Sequence, residues 1–131
     1  MEKTPPQKEF SGKRIVLFGP ESTGKSTLSR KLAKHYHTTY VQEFAREYLQ
    51  EKMDQTGAIC ALEDLMPITR GQRRLENEAI KNAHKFLFCD TDALETWVYS
   101  HIYFNVAPEE LEQIVESSHY DLYLLKAVDI P

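Results

Sequence analysis

Two cysteines in 131 residues are too few for a disulfide framework, and Cys60 and Cys89 stand in unrelated contexts that suggest no zinc site. Cys89 falls inside an apolar run and reads as a small buried hydrophobe. No apolar run approaches the length of a membrane span and the N-terminus is polar, so neither a spanning helix nor a signal peptide is expected. Basic residues form no block: 16 Lys and Arg face 20 Asp and Glu, for a formal net charge of −4, and nucleic acid is not an expected partner. Internal repeats and low-complexity tracts are missing too. What remains is 41% hydrophobic and 27% charged, the balance of a globular chain of one domain with a modest core. A soluble, cytoplasmic protein with no membrane partner is the expectation.

One stretch organises the rest. Ile15, Val16, Leu17 and Phe18 form a short apolar run of buried-strand length, and Gly19-Pro20-Glu21-Ser22-Thr23-Gly24-Lys25-Ser26 follows it. That octet fits G-x-x-x-x-G-K-[ST], the phosphate-cradling loop, at every fixed position. Leu28, Leu32 and Tyr36 then recur every four residues, the mark of a helix. Gly19 and Gly24 permit a tight turn, so that backbone N–H groups from Glu21 to Ser26 can converge on an anion. Pro20 stiffens the loop, and the helix adds the positive end of its dipole. Lys25 supplies a charge for the terminal phosphates and Ser26 a hydroxyl for Mg²⁺. Residues Gly19 to Ser26, with Thr27, are the expected ATP-binding set, and ATP and Mg²⁺ the expected cofactors.

Residues 1–12 contain Pro5-Pro6 and read as a loose, extended polar leader; 13–131 read as the domain. Strands are expected at 14–19, 38–43, 85–90 and 120–126. Helices are expected at 24–37, 44–52, 64–84 and 93–104, with another started by Pro108 at its first position, and a loop at 54–61. Asp64 is the expected N-cap of the long third helix. Strand, loop and helix alternate, which means an α/β domain with a parallel sheet covered on both faces. Ligands of such sheets bind beyond the carboxyl ends of the strands. That rule selects the phosphate loop, Glu43 after strand two, Asp90-Thr91-Asp92 after strand three, and the tail after strand four.

Asp90 ends an apolar strand and is the expected acid that steadies Mg²⁺. Asp92 has two readings: a ligand or base, or the N-cap of the next helix with Glu95 completing a capping box. Glu43 is the first choice to orient an acceptor hydroxyl and take its proton, with Asp92 next. Arg46 could hold a phosphate or steer Glu43, or be a surface arginine. Gln72, on an apolar helix face, is either a hydrogen-bonded core amide or a contact for a substrate's ring amide. Arg70, Arg73 and Arg74 read by default as a solvated face.

GPESTGKST, VQEFAREYLQ, ITRGQ, FLFCDTDALETWVYSHIYF and YDLYLLKAVDIP together resemble the ribosylnicotinamide-kinase domain of the bacterial NadR regulators and its stand-alone ATPase relatives. The resemblance covers about residues 12–131. It implies a P-loop NTPase of three α/β/α layers, nucleoside-kinase-like, that phosphorylates the 5′-hydroxyl of nicotinamide riboside with ATP to give nicotinamide mononucleotide. By the same resemblance Lys25, Ser26, Asp90 and Asp92 match the loop and metal-side residues, and Glu43 with Arg46 match the acceptor-side E-x-x-R. The cationic ring of such a substrate suits an acidic pocket with aromatic faces. Tyr48, Trp97 and Tyr99 are candidates for that contact, with core packing as the other role, and Trp97 is taken as the substrate residue. Relative to the family, the chain stops before the lid and last strand, which leaves a sheet edge that a second copy could pair with. The other reading is an ATP-binding module with a sensing or partner-binding role and no phosphotransfer. A GTPase is disfavoured, because no N-K-x-D motif occurs.

Overall fold

The computed structural model of the protein describes residues 3–19 and 25–125, with Lys25 by its backbone alone. The elements run β1 (Lys13–Phe18), α1 (Lys25–His35), β2 (Tyr40–Val41), α2 (Phe44–Thr56), α3 (Leu65–Ile80), β3 (Phe86–Asp90), α4 (Ala93–Phe104), α5 (Glu109–Ser117) and β4 (Leu122–Leu125). The four strands pair in parallel in the order β2-β3-β1-β4. β1 and β3 lie side by side in the middle, with Leu17 opposite Asp90.

Pleating sends alternate residues of the central strands to opposite faces. Ile15, Leu17 and Phe88 pack against Ala33, Leu28 and Leu32 of α1. Val16, Leu87 and Cys89 pack on the other side with Leu75, Ala79 and Ile80 of α3. Both faces are therefore dry, which explains why these strands are continuous apolar runs. A third cluster, Ala93, Leu111 and Ile114 with Met66 and Trp97, joins α3, α4 and α5. The three-layer α/β/α arrangement is as the sequence implies.

Boundaries differ from expectation where side chains displace the backbone ladder. β2 is two residues long rather than six. The Thr38 hydroxyl bonds Phe86 O at 2.6 Å and receives His84 N–H at 2.8 Å, and Gln42 O is held by a side chain of α3. α1 ends before His37, which sits at φ 54°, and α3 ends before Lys85, at φ 62°. α2 runs on to Thr56 and stops at Gly57, which adopts φ 72° and returns its N–H to Met53 O. That left-handed turn is why glycine stands there. Pro108 is the N-cap of α5, not its first residue.

Asp64 does not cap α3 with its carboxylate. A 3-10 turn, Leu62–Asp64, leads into that helix, and the buried carboxylate instead binds Ala61 N–H at 2.7 Å, Tyr48 O–H at 3.0 Å and the Lys52 ammonium. It thereby fastens α2 to the start of α3.

The leader is not loose. Arg73 donates to Pro5 O at 3.1 Å, Asn77 donates to Pro6 O at 3.0 Å and accepts Lys8 N–H at 3.0 Å, and Gln7 donates to Glu76 at 2.9 Å. Glu76 also receives Tyr120 O–H at 2.5 Å and lies 3.3 Å from the Arg14 guanidinium. Arg73 is accordingly buried rather than solvated, and Arg70 lies 3.6 Å from Glu110. Sequence periodicity misses this because the partners are backbone carbonyls some seventy residues away.

Burial acts to raise the Asp64 carboxyl, but the hydrogen bond from Lys52, with those from Ala61 and Tyr48, holds it below the ordinary aspartate value. A depressed carboxyl adds stability above its unfolded pKa and loses it as pH falls through the folded value. Asp64→Asn is therefore expected to cost about 1–2 kcal/mol at neutral pH. The gap from wild type should close as pH is lowered below the ordinary aspartate range, as read in urea melts at neutral and acid pH.

Candidate functional site

The site lies where β1 and β3 end. Ser26 is in the first turn of α1, and Asp90 is the last residue of β3. Their side chains meet: Ser26 Oγ donates to Asp90 Oδ2 at 2.6 Å. Asp90 is 1% exposed, so this bond joins the helix after the phosphate loop to the strand tip inside the protein. Arg46 reaches the same hydroxyl from α2, its Nη1 donating to Ser26 Oγ at 2.9 Å. Arg46 Nη2 lies 3.8 Å from Glu43 Oε2. The largely buried carboxylate of Glu43 thus stands at the end of a chain Asp90–Ser26–Arg46–Glu43, which the sequence spreads over 65 positions (26 to 90). Among the loop residues, Gly19 has φ 149°, a conformation natural to glycine alone. Thr27 is exposed on α1. Pro20, Glu21, Ser22, Thr23, Gly24 and the Lys25 side chain lie outside the described residues.

Asp92 takes the capping role of its two readings. Its Oδ1 accepts Glu95 N–H at 3.2 Å and its Oδ2 accepts the Tyr123 hydroxyl at 2.6 Å. Burial raises the Asp92 carboxyl, against the lowering effect of the Tyr123 bond. Tyr123 is raised in turn, first by burial and then by that same bond. The capping box is half formed, because the Glu95 carboxylate turns elsewhere. It accepts Gly19 N–H at 3.1 Å and the hydroxyl of Thr91. Thr91 sits at φ 90°, a costly conformation for a β-branched residue and one that gathers at functional sites. Glu95 thus links the tips of β1 and β3, a role that its spacing from Asp92 does not disclose.

The remaining candidates are placed elsewhere. Gln72 is buried in α3; its carbonyl accepts Phe44 N–H at 2.8 Å and its amide donates to Gln42 O at 3.0 Å, one on each side of Glu43. That is the core-amide reading. Trp97 packs in the cluster of α4 and α5, edge-on to His101, with its indole N–H 3.4 Å from Glu112. The Tyr48 hydroxyl is bound to Asp64, and Tyr99 packs on Tyr103.

The donor set fits Mg²⁺. A hydroxyl and a carboxylate are hard oxygen donors, and Mg²⁺ takes one or two of these from protein and the rest from water and phosphate. The described residues contain no group of three or more His, Cys, Asp or Glu side chains that could hold a metal ion. They also contain no helix long and apolar enough to cross a membrane.

A parallel α/β/α sandwich with a G-x-x-x-x-G-K-S run after its first strand, and an acid at the neighbouring strand tip bonded to that serine, defines a P-loop NTPase domain. The family model described as an AAA domain matches residues 14–131, and the chain belongs to that family. It is 28% identical over 124 residues to the trifunctional NAD biosynthesis/regulator protein NadR of Escherichia coli (strain K12), covering 95% of this chain and 30% of that protein. The Salmonella typhimurium protein of the same name matches with the same identity and coverage. Among solved structures, NadR protein in complex with NR superposes with a TM-score of 0.71 at 28% identity, over 87% of this chain and 33% of that one. NadR protein in complex with NAD and AMP-PNP gives 0.69 at 27% identity, over 87% of this chain and 34% of that one. The domain is NadR-like, and the chain spans about 30% of the length of the curated relatives it matches.

Tyr123→Phe removes the hydroxyl that lowers Asp92. The Asp92 carboxyl is expected to titrate higher than in wild type, and the protein to lose about 1–2 kcal/mol, measured by carbon-detected NMR titration and chemical denaturation.

Proposed function

We propose that the protein is an ATP-dependent small-molecule kinase whose acceptor is the 5′-hydroxyl of nicotinamide riboside, with nicotinamide mononucleotide as product. The observation that carries this reading is the Asp90–Ser26–Arg46–Glu43 chain. It gathers Ser26 and Asp90, which this reading assigns to the metal, and Arg46 and Glu43, which it assigns to the acceptor, into one connected group. The likeness to NadR protein in complex with NR and with AMP-PNP supports it.

In this reading backbone N–H groups from Glu21 to Ser26 cradle the triphosphate, and Lys25 pairs its terminal phosphates. Ser26 and Asp90 would hold Mg²⁺, which would supply positive charge to offset that of the phosphates. Arg46 shares the Ser26 hydroxyl and faces the transferring group. Glu43 orients the acceptor hydroxyl and takes its proton as the oxygen bonds to the γ-phosphorus and the bond to the β–γ bridging oxygen breaks, releasing ADP. Glu43, Asp90 and Glu95 make this end of the sheet acidic, which suits an acceptor with a cationic ring. With Asp92 engaged by Glu95 and Tyr123, Glu43 is the base in this proposal.

The test is incubation with ATP-Mg²⁺ and a panel of nucleosides. A phosphorylated product is expected from nicotinamide riboside, and silence across the panel overturns the reading. Glu43→Gln should lower kcat by about 10²–10⁴-fold, the usual worth of a general base. ATP-Mg²⁺ should still raise the melting temperature of this variant, since binding to the folded state alone stabilises it.

A further inference from the structure

Gln72 is the one α3 side chain that grips the backbone on both sides of Glu43. Its carbonyl takes Phe44 N–H at 2.8 Å and its amide gives to Gln42 O at 3.0 Å. The second contact of this segment with α3 lies one residue away. A Cβ on Gly71 would fall 2.3 Å from the Phe44 ring, so the ring rests directly on the helix backbone. Residues 42 and 44 are thus both docked on α3, and residue 43 has no latitude between them.

The consequence lies in helix capping. Glu43 is the N-cap of α2, with φ −75° and ψ 110°, and its side chain makes no cap hydrogen bond. A helix start exposes N–H groups that the N-cap side chain commonly satisfies. Here Gln72 satisfies the first of them, the Phe44 N–H, from across the fold, and the Glu43 carboxylate lies beside the Arg46 side chain in the first turn of α2, at 3.8 Å.

We propose that Gln72 is a positioning residue for phosphoryl transfer: by binding Gln42 O and Phe44 N–H it fixes the backbone on both sides of Glu43 and so holds the Glu43 carboxylate beside Arg46. This rests on the reading of Glu43 as the base. A group displaced by about 1 Å can lose about 10²-fold in rate, and the Gln72 clamp is what prevents that displacement.

The test uses the full chain with Gln72→Leu and Gln72→Glu, each alone and with Glu43→Gln. Hydrogen exchange comes first: the Phe44 amide should be protected in wild type and should exchange at least about tenfold faster in Gln72→Leu, by loss of its bond. Kinetics follow. Gln72→Leu should lower kcat by about 10–100-fold with the KM for ATP unchanged. In the Glu43→Gln background it should lower kcat no further, since two residues acting as one unit are non-additive. Gln72→Glu keeps the size and the acceptor. Its activity relative to wild type should recover as pH falls and the buried carboxyl, raised by desolvation, regains a donor for Gln42 O.

Wild-type kcat in Gln72→Leu, an additive loss in the double variant, or no pH-dependent recovery in Gln72→Glu overturns the positioning role while leaving the kinase reading standing. Absence of transfer by wild type overturns the kinase reading, and full activity in Glu43→Gln overturns Glu43 as the base; the positioning role falls with either. Should Gln72→Leu not fold, Gln72→Glu and its pH profile decide.

Discussion

The bond from Ser26 to Asp90 depends on a register. β1 and β3 pair so that Leu17 lies opposite Asp90, which brings the tip of β3 level with the departure of the chain toward α1. A carboxylate at 1% exposure needs donors, and the Ser26 hydroxyl is one at 2.6 Å. If β3 slid by one residue, its pleat would turn Asp90 to the opposite face, away from Ser26. The apolar alternation that packs Leu17 and Phe88 on α1, and Val16 and Cys89 on the α3 face, enforces the register. The core and the site are therefore one constraint: the same pleat that fills the two hydrophobic layers aims the acid.

α3 is the second organiser. Its apolar residues cover the sheet, while its polar residues hold chain segments that have no regular structure of their own. Arg73, Glu76 and Asn77 bind the leader, and Gln72 binds the segment between β2 and α2. Most of these contacts take backbone groups that no helix or strand pairs. That explains why a helix on a dry face carries so many polar residues, Thr69, Gln72, Arg73, Glu76 and Asn77 all being buried. The Arg14–Glu76 pair belongs to this layer. Buried ion pairs contribute little net stability, but this one also takes hydrogen bonds from Gln7 and Tyr120 and so fixes where the leader and the entry to β4 run.

Strain collects at the strand tip. Thr91 at φ 90° stands between two buried aspartates, held by its hydroxyl bond to Glu95. Asp92 on the far side is anchored to Tyr123 of the edge strand β4. The three residues after the apolar run thus point three ways, to Ser26, to Glu95 and to Tyr123. A run of short polar residues at a strand end announces a turn in any sequence; only the neighbours decide which carboxylate faces the phosphate side.

Much of the fold was legible locally. The run of Ile15 to Phe18, the G-x-x-x-x-G-K-S motif, the unalternating FLFCD strand and the helix from Ala93 to Phe104 are signals carried within a few residues, by periodicity and propensity. From these alone follow the class of domain, its parallel sheet, and the candidacy of Ser26, Asp90 and Glu43. Tertiary structure decided the rest: Gln72 as a clamp, Asp92 as a cap, Glu95 as a link to Gly19, Trp97 in the α4–α5 seam, and a leader bound to α3. Each of the long-range contacts behind these assignments joins residues 15 to 76 positions apart. Spacing along a chain encodes which side of an element a residue occupies, whereas its hydrogen-bond partner is set by what the folded chain brings opposite it.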